Sequence, residues 1–219
     1  SAVFLLLCAI SHCTFSHEIP HARPHSIVSA GPFNLGDSLA AQSSRAAALR
    51  ILTPSELIAQ YNIVYSSTAG SGKTIAIVDA FGASTVEADL AVFNEQFDLP
   101  ACTTANGCFT KVNQTGGTSY PVDDTQNGWG TEVALDVQTV HAVAPGAKIL
   151  LVVANSAGSN DLYQAVDYAR ANADYVSMSF GASESLYVTT YNDDYFSTSP
   201  HVAFFASTGD SAAGIEFSA

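Results

Sequence analysis

The sequence predicts an α/β protein built on a parallel sheet with helices on both faces, and three observations predict it. Short β-branched runs, Thr74 to Ala80 and Lys148 to Ala154 foremost, alternate with segments of helical length and pattern. The second run is apolar almost without interruption, as a strand covered on both sides must be. Apolar residues make up 47% of the 219 residues, ample for a sizeable core. Units of this kind are expected to cross over right-handed and to carry their chemistry at the carboxyl ends of the strands.

The chain begins with an apolar run, Ala2 to Ile10, far short of the roughly 20 residues that a spanning helix needs. Small and polar residues come after it, so residues 1–16 read as a partial signal peptide and the protein as secreted and extracellular. Residues 17–52 read as a short prosegment or linker. His17, His21 and His25 recur every fourth residue there, but Pro20 and Pro24 interrupt the helix that a metal site would need. Residues 53–219 read as the N-terminal part of a catalytic domain, opened by Thr53-Pro54 as cap and first turn of a helix through Tyr61.

After the Thr74–Ala80 strand, a helix is expected over Thr85 to Phe97 and a short strand over Phe109 to Val112. Cys102 and Cys108 bracket a turn-rich Asn-Gly segment and, behind a secretory signal, are expected to close a disulfide. No second Cys/His pair at finger spacing supports a zinc site, and no metal ligands are assigned. Asn113-Gln-Thr115 is a glycosylation acceptor by pattern. Beyond the Lys148–Ala154 strand come a helix over Asp161 to Ala171 capped by Asn160, a strand over Tyr175 to Ser179, a helix over Tyr187 to Phe196, and a strand over His201 to Ser207.

Between the strands at 109 and 148 lies the most informative stretch, Gly128 to Gly146. It reads as a helix capped by Thr131 and stopped by Pro145-Gly146. Glu132 and Asp136, four residues apart, share one helix face, near enough to repel as two anions and to hold one proton between them in mild acid. Such a pair is either a solvated face or a general-base arrangement. The apolar flank of Val133, Leu135, Val137, Val140 and Val143 leaves little of the helix polar and favours the second reading. Asp79, at the end of the first strand, reads as a structural or supporting acid.

Charge excludes several classes. Acidic residues outnumber basic ones 20 to 7, for a net charge of −13, which suits neither nucleic acid nor anionic membrane as a partner. It suits a secreted protein working in acid, where protonation relieves self-repulsion. Ala69-Gly-Ser-Gly-Lys-Thr74 imitates a phosphate-binding loop, but Ser67 stands where its first glycine belongs and a strand comes next where a helix is required. Gly116-Gly-Thr-Ser119 imitates a nucleophilic serine turn, yet opens no helix and reads as a surface turn.

Several separated motifs resemble one family. Gly130-Thr-Glu-Val-Ala134 is similar to the Gly-Thr-His-Val-Ala of subtilisin-like proteases with Glu in place of His, and an Asp stands four residues later. Ala206-Ser-Thr-Gly-Asp210 resembles the loop that carries the oxyanion Asn, with Asp in its place. Together with Val140 to Pro145, Ser177 to Gly181 and Thr53-Pro54 with Tyr61-Asn62, these resemble the sedolisins, the serine-carboxyl peptidases, over roughly residues 53 to 219. The resemblance implies a subtilisin-like fold and a serine-type endopeptidase. Within it Glu132 is the general base, Asp136 its partner, Asp210 the protonated oxyanion donor, and Ser179 and Gly181 main-chain contacts for an extended substrate.

The family's Gly-Thr-Ser nucleophile and calcium site lie downstream of its oxyanion Asp, and neither is found before Ala219. The resemblance therefore implies that the nucleophile and the Ca2+ ligands fall beyond residue 219, that residues 1–219 contain no cofactor, and that these residues assayed alone are inactive. A monomer acting on protein or peptide substrates is expected. The rival expectation is a non-catalytic pseudo-peptidase that binds peptides in the same cleft.

Overall fold

In the computed structural model, residues 52–124, 126–181, 196 and 202–207 are described. Their elements, in chain order, are α1 (Pro54–Gln60), β1 (Thr74–Ala80), α2 (Val86–Phe97), β2 (Phe109–Asn113), α3 (Trp129–Val143), β3 (Lys148–Ala154), α4 (Ser159–Asn172), β4 (Tyr175–Met178) and β5 (Ala203–Ala206). The strands form one sheet in the order β2-β3-β1-β4-β5, and every neighbouring pair is parallel. The α/β expectation holds. The expected helix over Tyr187 to Phe196 lies outside the described residues except for Phe196, as do Asp210 and residues 1–51.

Period-2 alternation along β1 builds two cores. Ile75 and Ile77 join Ile149, Leu151 and Val153 under α2 and α3, whereas Ala76, Val78 and Ala80 join Leu150, Val152 and Ala154 under α4. The register aligns Thr74 with Lys148 through Ala80 with Ala154, and Ile75 with Tyr175 through Val78 with Met178.

One connection departs from the expected uniform right hand. Both α2 and α3 pack into the Ile75–Ile77 core, yet the chain runs outward from β1 to edge strand β2 and then back from β2 to β3. Two crossovers on one face in opposite directions have opposite hands. The α2 and α4 connections share a hand, and β2–α3–β3 is the exception. With the opposite face filled by α4, α3 has only this face on which to bury its apolar stripe.

Helix starts follow loop geometry as well as cap chemistry. Thr53 and Glu56 form the capping box of α1: Glu56 N donates to Thr53 Oγ1 (3.3 Å) and Thr53 N to Glu56 Oε2 (2.8 Å). By contrast, Thr131 does not cap α3, which starts two residues earlier after Gly128 in left-handed conformation. Asp124 does that work instead, accepting from the backbone N–H of Asn127 (2.9 Å) and Trp129 (3.1 Å). Nor does Asn160 cap α4, whose N-cap is Gly158. β4 ends at Met178 and β5 spans only Ala203–Ala206, both shorter than expected.

The two decoys have structural explanations. Gly70 packs so tightly on the turn before β3 that a Cβ would stand 2.7 Å from Ala147 Cβ, and Gly146 N donates to Ala69 O at 2.8 Å. Gly70 serves packing, whereas Gly72 has open space around it and serves the turn through its positive φ of 79°. The Gly116-Gly117 segment closes around Asn113, whose Oδ1 accepts from Thr115 N (3.0 Å) and Gly117 N (2.8 Å).

Candidate active site

The site lies over the carboxyl end of β1 and is built by the loop that leaves this strand. Phe81 takes a positive φ of 66° and donates its N–H to Ala154 O at 2.8 Å, turning the chain out of the sheet. Gly82 then pairs with Asp123 as an isolated parallel bridge and donates to Val122 O at 3.0 Å. Asp123 accepts from Ser84 N (3.1 Å) and Ser84 Oγ. The segment so gripped continues through Asp124 into α3, and Trp129 on its first turn meets Phe81 edge-to-face at 6.4 Å.

α3 then carries Glu132 and Asp136 toward the sheet. Glu132 is half-buried and Asp136 fully buried. Neither oxygen of Asp136 has a hydrogen-bond partner among the described residues. Burial, reinforced by the Glu132 charge, pushes its carboxyl up to about 8, against a smaller opposing influence of the Ser179 hydroxyl. Ser179 Oγ is itself buried and makes no bond of hydrogen-bonding geometry, so its effect on Asp136 is one of proximity.

Asp79 joins the pair. It occupies the β1 position that faces α3, is fully buried, and both its oxygens lack a partner among the described residues. Burial first, then the charges of Asp136 and Glu132, hold it well above the usual carboxylate range. Ser177 Oγ on β4, in register with Ile77, is also buried and unpartnered. The polar floor thus comprises Asp79, Asp136, Ser177 and Ser179 beneath Glu132. Sequence reasoning singled out the acid pair and Ser179. It gave Asp79 only a supporting role and missed Ser177, although alternation from Ile75 and Ile77 already directs Asp79 to the α3 face.

The remaining predicted residues fall around this floor. Gly181 is exposed just past β4, where Ser207 N donates to Met178 O at 3.1 Å. Asp210, three residues beyond Ser207, lies outside the described residues. Cys102 and Cys108 are joined in a disulfide. Their sulfurs and a ring nitrogen of His141 lie within 4.8 Å of one another, a set without the oxygen ligands that calcium requires. His141 is buried and its Nε2 pairs with Pro100 O at 2.7 Å. No helix among the described residues is long and apolar enough to cross a membrane.

With this geometry in view, similarity to solved structures becomes informative. A Pseudomonas sedolisin, a serine-carboxyl proteinase complexed with two molecules of pseudo-iodotyrostatin, is similar to this chain with a TM-score of 0.52 and 27% sequence identity. The fold is subtilisin-like. The match covers 63% of this chain and 39% of that one, so the chain spans well under half of its structural neighbour. No family model matches the chain, and no curated protein matches it.

Proposed function

We propose that this chain carries the acidic part of a serine-carboxyl endopeptidase site, acting outside the cell on proteins or peptides in acid. The observation that carries the reading is Asp136: a carboxyl wholly buried and unbonded among the described residues, one helical turn from Glu132, in a frame similar to that of a serine-carboxyl proteinase. A surface acid pair has no reason to bury one member. In this reading Glu132 takes the proton of a serine hydroxyl as the serine oxygen bonds the scissile carbonyl carbon. It returns that proton to the departing amine, and water then releases the acyl group by the same exchange. Asp136 stays protonated and holds Glu132 in place, while Asp210, protonated, donates to the oxyanion. The substrate strand would run past Ser179 and Gly181. The nucleophile, and the calcium site that the resemblance implies, would come from sequence beyond residue 219.

The test is Glu132→Gln in a product extended past Ala219 until it cleaves casein in acid. Loss of activity by roughly three or more powers of ten is expected for a general base acting with its nucleophile. Retained activity would overturn the reading.

A further inference from the structure

The fold brings a histidine to the disulfide. His141 stands in the last turn of α3, and one of its ring nitrogens lies within 4.8 Å of both cysteine sulfurs. Its Nε2 donates to Pro100 O at 2.7 Å, which places the ring proton on that nitrogen and leaves Nδ1 with a lone pair. Nδ1 is buried and has no hydrogen-bond partner among the described residues. An imidazole anchored by one N–H on a backbone carbonyl, with its other nitrogen bare, is oriented as a metal ligand needs to be. The cysteines are held in place without their sulfurs. Asn106 accepts on Oδ1 from Thr103 N and Cys108 N, each at 3.0 Å, and donates from Nδ2 to Ala101 O at 2.8 Å. Phe109 N donates to Thr103 O at 3.2 Å and Ile149 N to Cys108 O at 2.8 Å. These bonds close the loop by themselves, so opening the disulfide leaves the two thiols side by side. Cys102 is fully buried and Cys108 half-buried, which gives a small reductant one sulfur to reach.

We propose that Cys102, Cys108 and His141 form a redox-gated site for Zn2+, shut while the disulfide stands and opened by a dithiol reductant. One thiolate of the reductant attacks the Cys108 sulfur, breaking the Cys102–Cys108 bond and releasing Cys102 as thiolate. The reductant's second thiolate then attacks its own sulfur in the mixed disulfide, closing the reductant's ring and releasing Cys108. Two electrons pass to the cysteines, and the two protons of the dithiol end in solvent once both thiolates bind the metal. Two thiolates and a neutral imidazole are the borderline-soft donors that suit Zn2+, with the fourth tetrahedral position left to water. The same set refuses Ca2+ and Mg2+, which demand oxygen. Sequence spacing around the cysteines supplies no third ligand; packing of α3 against their loop does. The disulfide ties that loop only to itself, whereas the metal would tie it to the last turn of α3. None of this depends on the peptidase reading.

The test titrates Co2+, a coloured substitute for Zn2+, into the 219-residue chain near pH ~7.5, where thiols of pKa ~8.5 give up their protons to a metal. The chain is first reduced with a dithiol and freed of it without air. The reduced chain should take up one Co2+ with a thiolate-to-cobalt charge-transfer band and tetrahedral visible bands, which Zn2+ then bleaches. The disulfide form should give neither. Reduced His141→Gln keeps both thiols but lacks the ring nitrogen, and should bind about tenfold or more weakly with altered visible bands. Absence of the charge-transfer band from the reduced chain overturns the proposal, and so does a His141→Gln chain with wild-type affinity and spectrum. If reduction unfolds the chain, Zn2+ should restore the far-ultraviolet circular dichroism of the disulfide form, because the metal binds only the folded site; no recovery overturns the proposal. If His141→Gln does not fold, the ring-nitrogen resonances of His141 in the reduced wild type decide: they should shift on adding Zn2+, and unmoved resonances exclude His141 as a ligand and overturn the site.

Discussion

Gly82 and Asp123 approach so closely that a Cβ on Gly82 would stand 2.4 Å from both Asp123 Oδ1 and Pro121 O. This contact ties the end of β1 to the loop that delivers α3. Gly82→Ala must push backbone as well as a carboxylate, and overpacking of this kind costs about 1–3 kcal/mol. The expected outcome is a lower melting temperature, together with weakened peptidase activity in the extended enzyme because α3 is re-aimed. A melting temperature equal to wild type would mean that the loop yields freely.

Asp136 makes stability depend on pH. Its folded pKa is raised above the unfolded value, so between the two the folded state holds the extra proton. The contribution of Asp136 is full below about pH 4 and declines as pH rises toward 8, by about 1.4 kcal/mol per pH unit. Asp136→Asn should flatten this slope in denaturant titrations across that range. A slope equal to wild type would show that Asp136 does not titrate as a buried acid.

His141 acts in the opposite sense. Burial lowers its pKa, partly countered by the bond to Pro100 O, so the folded state prefers the neutral ring. Its contribution is complete above about pH 6.5 and is lost as pH falls through the lowered folded value. His141→Gln, which keeps a donor but never charges, should cost stability at pH ~7.5 and regain ground below pH ~5. A difference in melting temperature that is constant with pH would exclude this role.

The disulfide joins cysteines six residues apart, around a turn in which Asn106 Oδ1 already accepts from Thr103 N and Cys108 N, each at 3.0 Å. For so short a loop the expected loss on Cys102→Ala/Cys108→Ala is about 2 kcal/mol or less. Unreduced peptide mapping should find the two half-cystines linked, and free thiols would contradict the assignment.

On the proposed function, in which Asp210 donates to the oxyanion, Asp210→Asn in the extended chain should lower the maximal rate and extend the alkaline limb, because an amide donates at every pH whereas a carboxyl donates only when protonated. The readout is kcat/KM against pH, each curve normalised to its own maximum. Superimposed alkaline limbs would assign that limb to the Glu132–Asp136 pair.

How much was legible in the sequence varies by element. β1 and β3 were readable to the residue because continuous β-branched runs between turns leave little else possible. Helix starts were less so: Thr131 and Asn160 have the right chemistry for caps, but Asp124 and Gly158 occupy those roles through loop geometry that propensity does not encode. Spacing alone brought Glu132 and Asp136 together. Their joining by Asp79 depends on which face of β1 meets α3, a tertiary fact visible only as alternation, and the reversed hand of β2–α3–β3 has no local signal.

The position of the two acids along α3 has a consequence for where the proton resides. Glu132 is in the first turn, at the positive end of the helix dipole, which favours an anion by roughly 0.3–1 kcal/mol. Asp136, one turn further in, is in the dry interior, where only the uncharged form is comfortable. One helix therefore places two carboxyls of almost equal intrinsic acidity in unlike surroundings, one half-buried at its mouth and one fully buried at its root. Burial, more than the identity of either side chain, sets which of the two holds the proton.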